Sequence, residues 1–115
     1  MSYIDGFVIP APDKEKFSEH AKRMDTIFLE LGATRVVECW GDDVPDGKQT
    51  DFKRAVQAKD GETVAFSWVE WPDKKTRDAA MEKMRKDERM MAEPMPFDGK
   101  RMIFGGFVPV LDLKK

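Results

Sequence analysis

The 115-residue chain has only one cysteine and one histidine. One cysteine cannot form an internal disulfide, which favours a reducing compartment, and we expect a cytoplasmic protein. One histidine excludes sites that need several histidine ligands, and we expect neither a bound metal nor a cofactor. No apolar run reaches membrane-spanning length, and the first residues lack the basic leader of a secretory signal, so we expect no membrane partner.

The chain also lacks an excess of basic side chains. The chain carries 20 basic and 22 acidic side chains, for a formal net charge of -2. A phosphate backbone needs a basic surface, and RNA-binding sheets carry aromatic motifs that do not occur here, so we expect no nucleic-acid partner. The sequence also lacks a glycine-rich phosphate loop and a nucleophile elbow, which excludes the enzyme classes built on them.

The length fits one domain over residues 1–115, and the hydrophobic pattern divides this domain into six main elements. Helical spacing is clearest in the first predicted helix, where Phe17, Ala21, Met24 and Phe28 recur on one side. We also expect a polar loop at 41–50, a short extended piece at 50–56 and a hairpin turn at Asp60-Gly61. The predicted strands are residues 3–9, 34–40, 63–71 and 101–113, and the predicted helices are residues 14–31 and 74–90.

The order of these elements predicts the fold class. Strand, helix, strand, strand, helix, strand is the split βαβ pattern of ferredoxin-like folds. We therefore expect an α+β protein with one four-stranded antiparallel sheet and two helices on one face of it.

The strands carry apolar side chains on both faces of the predicted sheet. Ile4 and Val8 point one way while Phe7 and Ile9 point the other, and residues 63–71 show the same alternation. Two helices cover only one face, so the outer face needs a partner. We expect a homodimer in which the outer faces of two copies pack together.

Several segments resemble a known family: YIDGFVIP, ECWGDDVPDGK, ETVAFSWVEWPD and FDGKRMIFGGF. They are similar to the bacterial domain-of-unknown-function 1428 family over nearly the whole chain. The resemblance implies a dimeric α+β barrel and brings no established activity and no catalytic residues. One departure is Glu88, where the family usually has proline, and glutamate there would let the second helix continue.

Other dimeric α+β barrels place a pocket between the helices and the concave face of the sheet. They include cofactor-free monooxygenases, lactone isomerases and haem-dependent enzymes. By this analogy we expect a small-molecule pocket lined by His20, Trp40, Trp68 and Asp5.

His20 and Asp5 are the candidate catalytic residues. His20 lies at the border of the apolar side of the first helix, where it is either a general acid or base, or a packed surface histidine. Asp5 lies among apolar residues of a strand, where it is either an ion-pair partner of Arg35 or Arg101, or a pocket acid with a raised pKa.

The tryptophans and the polar loop also have either a functional or a structural role. Trp40, Trp68 and Trp71 could stack on a flat ligand, but strand tryptophans are more often core or interface residues. We expect one of them to face the helices and one the dimer interface. Cys39 has no neighbouring cation to activate it, and the aspartates of residues 41–50 indicate turns rather than a metal site.

Two functions remain open from the sequence. One is a cofactor-independent enzyme acting on a small molecule, monooxygenase-like or isomerase-like by analogy of fold alone. The alternative is a non-catalytic homodimeric binding or interaction module. An enzyme should have His20 or Asp5 free in an enclosed cavity, whereas a binding module should have its polar groups paired internally.

Overall fold

The computed structural model describes residues 2–115. The elements are β1 Tyr3–Ala11, α1 Lys14–Glu30, β2 Arg35–Trp40, α2 Phe52–Ala55, β3 Thr63–Trp71, α3 Lys74–Arg85 and β4 Ile103–Phe107. A 3-10 turn follows α3 at Glu88–Met91. The strands form one antiparallel sheet in the order β2-β3-β1-β4, so the predicted α+β class and four-stranded sheet are confirmed.

The register of the strands gives the sheet two apolar faces. Gly6 pairs with Trp68 of β3 and Gly105 of β4, and neighbouring residues alternate from one face to the other. The predicted alternation in β1 and β3 is confirmed. The helix face carries Tyr3, Phe7, Ile9, Ala65, Val69 and Trp71 and packs under the helices, and the outer face carries Ile4, Val8, Phe66, Trp68, Ile103 and Phe107.

Helix α1 forms as its sequence predicts. Asp13 caps its first turn by accepting a hydrogen bond of 3.0 Å from the backbone N–H of Lys16. Phe17, Ala21 and Ile27 are buried along one side. Beyond the last turn, Gly32 has a φ of +117°, a conformation that glycine adopts at little cost.

The core lies between the helix face and helices α1 and α3. Trp71 is fully buried there, and its ring meets Phe28 of α1 edge-on, with 6.1 Å between the ring centroids. Ala80 of α3 joins the same cluster, so both long helices pack on one face of the sheet.

Two predicted segments near the middle of the chain are wrong. The predicted extended piece at 50–56 contains the short helix α2, because Asp51 caps it by accepting a bond of 2.7 Å from the backbone N–H of Arg54. The turn at Asp60-Gly61 is not a hairpin, because it joins α2 to β3 instead of joining two strands.

The predicted ends of three elements also differ. Strand β1 continues to Ala11, and proline is tolerated at position 10 because β4 pairs only with residues 4–8, which leaves β1 with one neighbour there. Helix α3 ends at Arg85 rather than 90, since Asp87 caps the 3-10 turn that follows. Strand β4 ends at Phe107, and residues 108–113 are in neither helix nor strand.

Among residues 2–115, no helix is both long and apolar enough to cross a membrane.

Candidate functional site

A cavity of about 190 Å³ lies between α1 and the helix face of the sheet, and we refer to it as the helix-side cavity. Most of its wall is apolar and is formed by phenylalanine and methionine side chains, which adapt readily to the shape of a ligand. Its polar lining residues are His20, Asp25, Glu38 and Ser67. Its aromatic and methionine lining residues are Phe7, Phe17, Phe28, Phe97, Met24, Met90, Met95 and Met102.

Asp25 and Glu38 form a pair of carboxyl groups at this cavity. Asp25 lies on α1 between the apolar residues Met24 and Phe28, and Glu38 pairs in register with the buried Ser67 of β3. Burial, a side-chain hydrogen bond with Glu38 and the negative charge of Glu38 together raise the pKa of Asp25 to about 8, and burial has the largest effect. At neutral pH Asp25 therefore keeps its proton and donates it in a hydrogen bond to the Glu38 carboxylate.

His20 lies on the same helix as Asp25 and lines the same cavity, and its ring meets Phe97 edge-on at a centroid distance of 5.6 Å. Burial lowers the pKa of His20, Arg23 lowers it further, and Glu93 opposes them. The imidazole is therefore neutral at physiological pH. Its Nδ1 is buried, and no group among residues 2–115 hydrogen-bonds to it.

His20 also borders a polar cleft on the protein surface. The cleft is lined by charged residues that include Lys16, Glu19 and Glu93. The imidazole thus separates the helix-side cavity from a solvated cleft.

This arrangement can move protons. A protonated carboxyl group with a pKa of about 8 is a general acid near neutral pH, and a neutral imidazole is a general base. Two titratable groups whose surroundings push them towards neutrality are typical of acid–base sites.

Asp5 has a different environment. Its carboxylate is 4% exposed and accepts hydrogen bonds from Trp71 Nε1 at 2.9 Å and from Arg77 Nη2 at 3.0 Å. The predicted partners Arg35 and Arg101 are wrong, because their guanidinium groups lie by Glu70 and Glu62, at 3.7 Å and 2.7 Å. Asp5 is thus a structural ion-pair residue at an opening between α3 and the sheet, outside the helix-side cavity.

The predicted tryptophans lie on opposite faces of the sheet. Trp40 is on the helix face and packs against Phe17, with 5.6 Å between the ring centroids. Trp68 lies on the outer face, where its indole N–H donates to Glu70 at 2.8 Å. The expectation that Trp68 shares a pocket with His20 is wrong, because its chain neighbours Ser67 and Val69 take the positions that face the helices.

Asp25 and Glu38 are absent from the predicted site residues, although the sequence contains a signal for each. Asp25 falls within the apolar side of α1, next to Met24, where a carboxyl group is costly without a partner. Glu38 and Trp40 are two residues apart in β2, so both side chains lie on the helix face. A polar residue on the buried side of each element marks a site, but only the packing of α1 on β2 brings the two together.

The loop between β2 and α2 has a structural role. Asp51 accepts a bond of 3.1 Å from the Gly47 backbone N–H, and Asp46 lies 3.5 Å from the Lys53 ammonium group. Within the described residues 2–115, no group of three or more histidine, cysteine, aspartate or glutamate residues is placed to hold a metal ion. Cys39 is free and pairs in register with Phe66 on the outer face.

Comparison with known proteins identifies relatives along the full length of the chain. The "Uncharacterized protein YbaA" of Escherichia coli K12 and that of Shigella flexneri are each 54% identical over 116 residues, spanning 97% of this chain and 99% of the relative. A solved structure, "De novo designed protein Foldit4", is 13% identical with a TM-score of 0.49 and covers 95% of this chain and 99% of its own. Residues 2–99 match the family described as "Protein of unknown function (DUF1428)". The resemblance seen in the sequence is confirmed, and the chain belongs to the DUF1428 family.

Proposed function

We propose that the protein binds a small, mostly apolar organic molecule in the helix-side cavity and transfers a proton to or from it. The observation that carries this proposal is the grouping of His20, Asp25 and Glu38 on one apolar cavity, so that a protonated acid and a neutral base line the same space. Nothing in this arrangement requires a cofactor.

The chemistry favours an isomerase-like reaction over a monooxygenase-like one. Removing a proton from one atom of a bound molecule and returning it to another needs only an acid and a base. His20 would accept the proton, and Asp25 would supply one to the product. The negative charge of Glu38 would favour the positive imidazolium that forms on His20, and return of that proton from His20 to Asp25 would restore the starting state.

Ligand contact with the polar groups can be tested with p-nitrophenol and nitrobenzene, which share a ring and differ by one hydroxyl group. We expect p-nitrophenol to bind roughly tenfold more tightly, because its hydroxyl can hydrogen-bond to Glu38 or His20 inside an apolar site. NMR shifts of the Met24 methyl group would report entry into the cavity. The exposed Met91 methyl is the internal control.

Variants of the polar residues test whether these residues contact the bound ligand. Glu38→Gln and His20→Ala should each reduce the preference for p-nitrophenol, because either residue can bond to its hydroxyl, while Asp43→Asn in an exposed loop should retain it. Equal binding of both ligands by every variant would leave a non-catalytic binding module as the better description. Failure of either ligand to shift the Met24 signal would refute binding in the cavity.

We also propose that the chain is ferredoxin-like and forms the homodimer of a dimeric α+β barrel. The strand order β2-β3-β1-β4, with both long helices on one face, supports the ferredoxin-like assignment. An open groove of about 550 Å³ on the outer face supports the dimer. This outer-face groove is lined by apolar residues that include Phe66, Trp68, Ile103 and Phe107, and Phe107 is 61% exposed.

Light scattering tests the dimer. The expected mass is about twice 13.2 kDa at micromolar concentration. Phe107→Glu should shift the protein towards monomer, whereas Leu29→Glu, a matched change of an exposed residue on α1, should not. A monomer at every concentration would refute the dimer.

A cytoplasmic location is proposed on the free thiol of Cys39. Fractionation of cells into cytoplasm and membrane would test it, and recovery of the protein with the membranes would contradict it.

A further inference from the structure

The segment that follows β4 carries exposed apolar side chains. Val110, Leu111 and Leu113 are 98%, 74% and 82% exposed, and residues 108–115 form no helix or strand. Three large aliphatic side chains this close together in water cost free energy that a contact surface would recover. We refer to residues 108–113 as the arm.

The arm begins at the outer-face groove. Val108 and Pro109 line the rim of this groove together with Phe107 of β4. Strand β4 is at an edge of the sheet, so the chain leaves the sheet at the border of its unfilled apolar surface. The nearly complete exposure of Val110 shows that the arm does not then fold back onto its own groove.

The length of the arm suits a second copy of the sheet. Six extended residues span about 20 Å, and four strands lie about 14 Å apart from first to last. When two outer faces meet about a two-fold axis, an arm that starts at the rim of one groove is already beside the other groove. It is then long enough to cross the partner's strands.

We propose that the arm of each copy crosses to a second copy and packs its aliphatic side chains in the outer-face groove of that copy. This inference rests on the homodimer proposed above. Two-fold symmetry supplies one arm and one groove to each side, so the exchange closes on itself and leaves no groove unfilled. The arm would thus contribute apolar surface that β4, only five residues long, does not provide.

Sedimentation equilibrium tests the energetic contribution of the arm. A chain ending at Phe107, and the double variant Val110→Asp with Leu111→Asp, should each raise the dimer dissociation constant roughly tenfold or more. Leu29→Asp on α1 is the matched control and should leave the constant unchanged. Because the arm is exposed, circular dichroism should show the same fold and unfolding midpoint in each dilute monomer.

A mixed-label NMR experiment tests the location of the arm. One population carries ¹⁵N, and the other carries Cys39→Ser and a spin label on Lys114→Cys. Intermolecular broadening of the Val8 and Trp68 amides, with Leu29 unaffected, is the expected result. A dimer without this broadening, whose dissociation constant survives loss of the arm, would overturn the arm exchange and leave the dimer standing. A monomer in the unaltered chain would overturn both.

Discussion

The carboxyl group of Asp25 shows how a residue acquires its chemistry from its neighbours. In water it would be ionised at neutral pH, but α1 buries it and β2 brings the charge of Glu38 next to it. Sharing one proton is the lowest-energy state for two carboxyl groups in such surroundings. The pair then behaves as one acid that titrates near neutrality.

The ionisation of Asp25 should therefore lower the stability of the protein as the pH rises. The unfolded chain ionises this group from its ordinary pKa of 3.8, whereas the folded protein keeps the proton up to about 8. The unfolded state binds fewer protons between these values, so the free energy of unfolding decreases from about pH 4 to pH 8 on this account. Asp25→Asn keeps a donor for Glu38 and removes the ionisation.

This variant should be more stable than the unaltered protein by about 1–2 kcal/mol near pH 8, a range reduced for partial solvent screening. The difference should vanish below pH 4, where both states are protonated. Urea unfolding across this pH range measures it. Asp43→Asn in the exposed loop is the control, and an Asp25→Asn difference independent of pH would contradict the explanation.

The pKa of His20 can also be measured directly. As the only histidine, it gives one unambiguous imidazole signal, and its pKa should lie below 6.5. Arg23→Gln should raise the pKa, since it removes a positive charge and frees Glu93 from its 2.8 Å ion pair with Arg23. Glu93→Gln should lower it. A shift in the same direction in both variants, or a lower pKa in Arg23→Gln with a higher one in Glu93→Gln, would show that other charges control the ring.

The sequence identified His20 but not its partners. A lone histidine beside an apolar helix face is conspicuous, whereas Asp25 and Glu38 are two of 22 acidic residues. Their proximity depends on how α1 crosses β2, and no spacing along the chain encodes it. The sequence also favoured Asp5, whose actual partner Arg77 lies on α3 rather than on a strand.

At the scale of elements, the Asp5–Arg77 pair joins β1 to α3. The Arg77 guanidinium lies 4.9 Å from the centre of the Tyr3 ring, and both Asp5 and Asp78 raise its pKa. A charged pair in this position holds the helix at one place on the sheet.

Arg77→Met should destabilise the protein by about 3–5 kcal/mol, because it leaves the buried Asp5 carboxylate with Trp71 as its remaining partner. Asp5→Asn should destabilise the protein less than Arg77→Met, since the Arg77 guanidinium keeps its ion pair with Asp78 and its partial exposure to solvent. Arg35→Met, which removes an exposed pair, should cost under about 1 kcal/mol. Chemical unfolding gives all three values. An Arg77→Met cost no larger than that of Arg35→Met would contradict a structural role.

Gly106 of β4 leaves the space in which the side chains of Tyr3 and Arg77 pack. A methyl group at Gly106 would collide with the Tyr3 hydroxyl and Arg77 Nη2, whereas one at Gly6 would lie an ordinary 3.7 Å from Phe107. Gly106→Ala should therefore destabilise by about 1–3 kcal/mol, and Gly6→Ala should be nearly neutral. Thermal unfolding of both variants at one low concentration checks this, and equal costs would show that the contact is not tight.

The elements that could be predicted are those that their own residues determine, rather than contacts with distant parts of the chain. Strand β3 was predicted with both of its ends, because its β-branched and aromatic run is bounded by turn residues. Helix α2 was missed because Asp51 caps only one turn, too short to show a period. The end of β4 was missed because pairing with β1 stops at Phe107, and the apolar residues beyond continue the same pattern.

For the molecule as a whole, the two faces of the sheet have separate roles. The acid pair and His20 lie on the helix face, and the outer face carries the apolar groove on which we propose that a second copy packs. The sequence predicted this division, because the alternation of side chains in β1 and β3 is a local property. It could not predict the cavity, which is the space that α1, the sheet and the methionine side chains leave between them.

The carboxyl ¹³C signal of Asp25, followed by NMR from pH 3 to pH 10, shows whether Asp25 shares a proton with Glu38. Glu38→Gln is the matched control, because it removes the neighbouring charge and keeps a side chain of the same size. We expect a midpoint at about 8 in the unaltered protein and a lower one in the variant. A midpoint near the ordinary 3.8 in both would contradict the shared proton and the acid–base function built on it.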